Sequence, residues 1–276
     1  MNAVVTWEAA VQALRDDPDQ REFVRLCYYD DPLAEAAERY HLSEEWQAVR
    51  PWLKSGGTAL DVGAGRGIAC YALTREGYAV TALEPDPSAI VGAEAILALS
   101  RERDLGIEVR RGVAEAIPAE DDSFDLVFAR AALHHTRDLV AAAREFARVL
   151  KPGGRLIALR EHVISRPEHL QAFLDSHPLH RLYGGENAFL LETYLNAFAQ
   201  AGLQIAQTVG PLESPMNYAP HSLGDVQALV AERTGPLRGL SRSILGIAPI
   251  WRAAQPVLAW IDHRPGRLFS FLARKP

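Results

Sequence analysis

The stretch TALDVGAGRG, residues 58–67, decides the fold. A short apolar run, Thr58 to Val62, passes into a turn with glycine at alternate positions, and helix-like sequence from Ile68 to Glu76 follows at once. Glycines in such a turn allow positive φ and let a ligand approach the backbone closely. The N-terminus of the next helix offers unpaired N–H groups and a partial positive charge. A strand, a glycine turn and a helix in this order predict a nucleotide seat in a parallel α/β sheet.

The spacing narrows the nucleotide. A dinucleotide fingerprint reads G-x-G-x-x-G. Here the third required position is Ile68, and Gly67 comes one residue early. Asp61, two residues before the first glycine, would repel a pyrophosphate but suits a ligand carrying an ammonium group. The next strand, Ala79 to Leu83, ends in Glu84, about 20 residues on, where an acid accepts from ribose hydroxyls. An adenosine with a cationic amino-acid tail fits these features, which is S-adenosylmethionine (SAM), with S-adenosylhomocysteine as product.

Four segments in order carry a resemblance. They are Asp61-Val62-Gly63-Ala64-Gly65-Arg66-Gly67, Leu83-Glu84-Pro85-Asp86, Phe124-Asp125-Leu126-Val127-Phe128 and Leu150-Lys151-Pro152-Gly153-Gly154-Arg155-Leu156. Together they resemble the class I SAM-dependent methyltransferases over residues 55–160. The resemblance implies a Rossmann-like, doubly wound, seven-stranded α/β sheet with its last strand antiparallel. It also implies cofactor contacts from Asp61, Gly63, Ala64, Gly65, Gly67, Glu84, Pro85 and Arg130. Ala114 would offer its backbone to the adenine, with Glu115 near the exocyclic amine.

The whole chain is consistent with a soluble enzyme on a small molecule. Its 276 residues are 48% hydrophobic and carry a net charge of −6, which argues against phosphate-backbone binding as the main business, so no nucleic-acid partner is expected. Cys27 and Cys70 make no metal or disulfide pattern, which suits a reducing compartment. Residues after Met1 lack the basic and apolar regions of a secretory signal, so the expectation is cytoplasmic.

Residues 1–50 read as a helical cap ahead of the methyltransferase domain at 51–276. Trp7, Ala10, Val11 and Leu14 share a helical face, a helix follows Asp30-Asp31-Pro32 with proline in its first turn, and Ser43 is placed to cap another. Most of this cap is expected to pack on the sheet. Part of it could act as a lid, with Arg39 and Tyr40 reaching inward to the cofactor. Further on, Ala89 to Arg103, Leu139 to Leu150, Leu190 to Ala201 and Leu223 to Glu232 read as helices. Ile107–Arg111, Phe124–Ala129, Arg155–Leu159, Leu203–Val209 and Arg267–Ala273 read as strands. About 50 residues separate the last two, an inserted helical element over about 220–264 where a short hairpin would serve. Its apolar stretch 243–261 is interrupted by Arg252, Gln255 and two prolines, so no membrane span is expected. The stretch packs on the host domain or forms an interfacial or homodimer-forming helix.

Methyl transfer needs an aligned acceptor and, for a hydroxyl, a base. In open parallel sheets ligands sit beyond the strand C-termini. The candidates there are His134, His135, Glu161 and His162. The marks of base-amine, cytosine-C5 and metal-dependent catechol-type enzymes are missing, and the spacing of the histidines from His162 to His180 is no compact ligand motif, so no metal is expected. The segment 176–189 is dense in hydrogen-bonding side chains, and His180, Tyr183, Glu186 and Asn187 are candidate acceptor contacts. Together these predict O-methylation of a small polar acceptor such as a sugar or sugar nucleotide. Two other classes stay open, an RNA or protein methyltransferase and a SAM-binding interaction module without catalysis.

Overall fold

The computed structural model describes residues 6–176 and 187–276. The strands are β1 (Gly57–Val62), β2 (Tyr78–Leu83), β3 (Glu108–Arg110), β4 (Phe124–Arg130), β5 (Leu150–Ile164), β6 (Phe189–Leu190), β7 (Gln204–Val209) and β8 (Arg267–Arg274). Their order across the sheet is β3-β2-β1-β4-β5-β8-β7, with the two-residue β6 beside β5. The first five run parallel, while β8 lies antiparallel between β5 and β7. This is the doubly wound sheet that the four motifs imply. The chain leaves β1 for β2 on one side and returns to β4 on the other. The crevice beyond their C-terminal ends is therefore the switch point where ligands bind.

Helices α1 (Trp7–Asp16), α2 (Arg21–Leu26), α3 (Leu33–His41) and α4 (Glu44–Val49) precede the sheet. Ser43 caps α4, its hydroxyl accepting from Trp46 N at 3.2 Å. Pro32 stands just ahead of α3 as its N-cap, not inside its first turn. Helices α5 (Ile68–Arg75), α6 (Ala93–Arg103) and α7 (Leu139–Val149) make the crossovers, and α8 (His169–Ser176) and α9 (Leu191–Gln200) follow β5. Two cores result. One joins Phe146, Tyr194, Phe198 and Phe271 beneath α7 and α9. The other joins Tyr40, Trp46, Leu73 and Phe128 beneath the cap and α5. A fully buried ring of this size contributes on the order of 2–3 kcal/mol.

Two boundaries differ from the sequence reading for local reasons. Helix α6 begins at Ala93 rather than Ala89 because residues 86–92 fold into a turn. There Asp86 Oδ1 accepts from Ser88 N at 2.8 Å and Ser88 Oγ from Val91 N at 3.1 Å. Strand β5 does not stop at Leu159. Its pairing with β8 slips between Ala158 and Glu161 and then resumes to Val163. At the slip Arg160 takes φ +57°, a conformation few residues other than glycine adopt. Such a bulge re-aims the side chains beyond it, and here it turns Glu161 into a fully buried position beside the end of β4.

The segment between β7 and β8 holds α10 (Pro215–Tyr218), α11 (Leu223–Glu232), α12 (Arg238–Leu245) and α13 (Ala248–Ile261). It has a small core of its own around Leu212, Val226 and Trp251. Gln255 Nε2 ties α13 to Leu212 O at 2.9 Å. Among the described residues no helix is long and apolar enough to cross a membrane.

Candidate active site

The glycine turn lies at the switch point. Gly63, Gly65 and Gly67 have φ of +65°, +56° and +83°. A Cβ on Gly63 would stand 2.8 Å from the Ala132 methyl, so the close approach of the β4 loop needs glycine there as much as the backbone does. Asp61 is 1% exposed, and its Oδ2 accepts from the Cys70 thiol at 3.0 Å. Glu84 is 6% exposed and accepts from Gly65 N at 2.7 Å and Asp86 N at 2.9 Å. Burial pushes both carboxyls up to about 7. Neither is in a salt bridge with a described cation. Two buried acids beside a glycine turn, without a neutralising partner, fit a ligand that carries a positive charge and ribose hydroxyls, as SAM does. Pro85 is exposed next to Glu84.

The cap reaches this turn through residues other than those expected. Arg66, inside the glycine turn, donates to Tyr28 O and Asp30 O, both at 2.9 Å, and pairs with Asp31. Helix α1 packs beside Val91 near the end of β2, and Trp7 stands edge-on to His135 with ring centroids 6.3 Å apart. The part of the cap that meets the turn is thus the segment Tyr28–Asp31, with α1 beside it. Tyr40, expected to reach inward to the cofactor, is fully buried between Tyr28 and Trp46. An aromatic at helical spacing reads the same whether it lines a cleft or a core. Arg39 is likewise taken, pairing with Asp30 at 2.6 Å on the cap itself.

Arg130 ends β4. Its guanidinium is committed to Glu45 of α4, with bonds of 2.6 and 2.9 Å, and stacks over Tyr40 at 5.1 Å. Its charge also favours the ionised form of Asp61. Arg160, from the β5 bulge, approaches the same Glu45 at 3.5 Å and donates to Met216 O and Ala219 O. Glu45 is 2% exposed. These three form a clasp joining the cap, the end of β4, the β5 bulge and α10.

The four base candidates do converge. Glu161 accepts from Ala132 N, Leu133 N and His134 N at 3.1–3.2 Å and meets His134 Nδ1 at 2.9 Å. The His134 ring lies 4.2 Å from that of His135 and 4.6 Å from that of His162. His162 Nδ1 meets Gly266 O at 3.2 Å, and Phe173 packs on its ring at 4.8 Å. His134 is buried, His162 half-buried and His135 exposed. Among the described residues no group has the geometry to hold a metal ion. A surface hollow of about 540 Å³ lies elsewhere, between α2, α3 and Pro220, and none of these residues lines it.

Residues 60–158, which hold this turn and the first two histidines, match the family model described as a methyltransferase domain. The chain carries a class I SAM-dependent methyltransferase domain. The chain is 29% identical over 198 residues to a ubiquinone biosynthesis O-methyltransferase of Methylobacterium sp. (strain 4-46), an alignment covering 70% of this chain and 76% of the relative. It is 37% identical over 130 residues to methyltransferase GfsG of Streptomyces halstedii, 46% of this chain and 44% of that one. A solved geranyl diphosphate C-methyltransferase of Streptomyces coelicolor A3(2) shares the fold, with a TM-score of 0.60 at 15% identity over 96% of this chain and 87% of that one. The chain spans about half the length of several curated relatives, 42% of one and 51% of another.

Within the methyltransferase domain, Ala114 and Glu115 sit after β3, as the motifs imply. Glu115 Oε1 is engaged by the backbone ahead of α7, accepting from Arg137 N at 2.7 Å. Of the acceptor candidates, Asn187 is half-buried just before β6. His180, Tyr183 and Glu186 lie outside the described residues. Sequence reasoning missed Arg66 and Glu45. Arg66 had a visible signal, a long cation inside the glycine turn. Glu45 had none, because it reads as a first-turn acid behind the Ser43 cap.

Proposed function

We propose that this chain transfers the methyl group of SAM to a hydroxyl oxygen of a small polar acceptor, with His134 as the base. The observation that carries the proposal is the 2.9 Å contact between His134 Nδ1 and Glu161. With Glu161 held by three main-chain N–H groups, the contact orients the imidazole and places its proton on Nδ1. That leaves Nε2 as the basic nitrogen. SAM, when bound, supplies an activated methyl group. Asp61 and the Gly63–Gly67 turn would hold its amino-acid part, Glu84 the ribose, and the backbone at Ala114 the adenine. The lid of α1 and α2 would exclude water while the acceptor is aligned. The similarity to a relative named as an O-methyltransferase favours oxygen as the acceptor atom. The polar composition of 176–189 favours a sugar or sugar nucleotide.

The test is S-adenosylhomocysteine release by the purified protein against nucleotide sugars, glycans and simple hydroxylated rings. His134→Ala should bind SAM normally and lose about 10²- to 10⁴-fold in transfer. Glu161→Gln should shift the pH profile of the remaining activity. Full turnover by His134→Ala would pass the role to His135 or His162, whose alanine variants then decide it.

A further inference from the structure

Among the described residues no element covers the face of α12 and α13 turned away from the domain. Leu237, Leu240, Ile244, Ile247, Ile250 and Val257 are each 39–62% exposed. They recur every three or four residues, apart from one step of seven. The inward stripe, Trp251, Gln255 and Leu258, is occupied by packing on Leu212 and Val226 and by the bond to Leu212 O. An outward aliphatic stripe of this length is more than the scattered apolar exposure of an ordinary surface. Its charge is as uneven. Residues 233–264 contain Arg233, Arg238, Arg242, Arg252 and Arg264 and one acid, Asp262, in a chain of net charge −6. All five arginines are exposed, and Asp262 is already neutralised by Arg264 at 2.7 Å.

We infer that this face docks on an anionic phospholipid surface. Exposed aliphatics flanked by arginines are what an interfacial helix presents to headgroups and the acyl boundary. The helices are too short to span a bilayer, so they would lie on it. A second copy of the chain is a poorer occupant. A two-fold interface sets the same patch against itself, and this patch would oppose arginine to arginine. The position also suits a surface enzyme. The stripe ends near Ile261, and five residues later Gly266 O contacts His162. Only five residues of chain thus separate the end of α13 from a contact with the histidine cluster.

The test is co-sedimentation of the full chain with phosphatidylcholine vesicles with and without about one-third phosphatidylglycerol. It requires no turnover, so it stands or falls apart from the reaction proposed above. Binding should need the anionic lipid and should fall as salt is raised. The pair Arg238→Glu and Arg242→Glu should weaken it by at least about tenfold, and Leu240→Ser with Ile244→Ser should also weaken it. Both pairs are at the surface, so their melting temperatures should match the parent's. Absence of binding to anionic vesicles overturns the inference, as does equal binding to neutral ones. A dimer in solution that Leu240→Ser with Ile244→Ser dissociates, with no vesicle binding, would assign the face to self-association instead.

Discussion

SAM binding should be lost on mild acidification, and the acids at the glycine turn set how steeply. Asp61 and Glu84 are pushed by burial up to about 7 in the ligand-free protein. A cationic cofactor binds their ionised forms, so each must shed its proton for SAM to seat. The sign follows from linkage. The free protein holds more protons than the complex, so affinity rises with pH through the window around 7 and falls below it. For one group at about 7, going from pH 7.5 to 5.5 multiplies Kd by roughly 25. For both acids the factor lies between that value and its square, because neighbouring acids titrate as a coupled pair. Near pH 7 binding should release about one proton in all, half from each acid. Calorimetry in two buffers of different ionisation enthalpy measures both the affinity and the released protons. Asp61→Asn and Glu84→Gln should each bind more weakly at pH 7.5 and show a flatter pH dependence. A Kd that changes less than about threefold between pH 7.5 and 5.5, with no buffer-dependent heat, would refute the assignment of these acids to the cofactor.

Three other variants probe the frame around the site. Glu45→Gln removes the buried acid between half-buried Arg130 and Arg160 and should cost about 3 kcal/mol, read as a fall of roughly 6–10 °C in the thermal midpoint. Gly63→Ala meets both the positive φ of +65° and the Ala132 methyl at 2.8 Å, so it should weaken SAM binding by more than about tenfold. Normal affinity would remove the turn from the site. Arg66→Ala cuts the bonds from the glycine turn to the cap and should speed proteolysis within residues 6–31. Added SAM should slow that cleavage in the parent more than in the variant.

What the sequence revealed of this protein was what depends on neighbours in the chain. The β1–turn–α5 unit, the Ser43 cap and the bounds Leu223–Glu232 all rest on residues within one or two turns of each other, and each stands where periodicity and capping put it. Topology alone also brings two of the candidates, His134 after β4 and Glu161 in β5, beside each other. The misses share a cause, which is partner choice across the fold. Glu45 meets its arginines 85 and 115 positions away, and nothing beside it announces them. The β5 bulge depends on β8, paired from more than 100 residues on. Read alone, the apolar run Leu156–Leu159 meets charge at Arg160, which reads as the end of a strand and not as a bulge within one. The bulge and the clasp are linked, because the residue that takes φ +57° is the one that sends its guanidinium to Glu45 and α10. Strain at that position persists only if the surroundings over-determine it, and the clasp is such a surrounding. Removing Glu45 should therefore disturb Glu161, one residue beyond the bulge. If so, Glu45→Gln lowers methyl transfer by more than its loss of SAM affinity explains, although Glu45 touches neither cofactor nor acceptor.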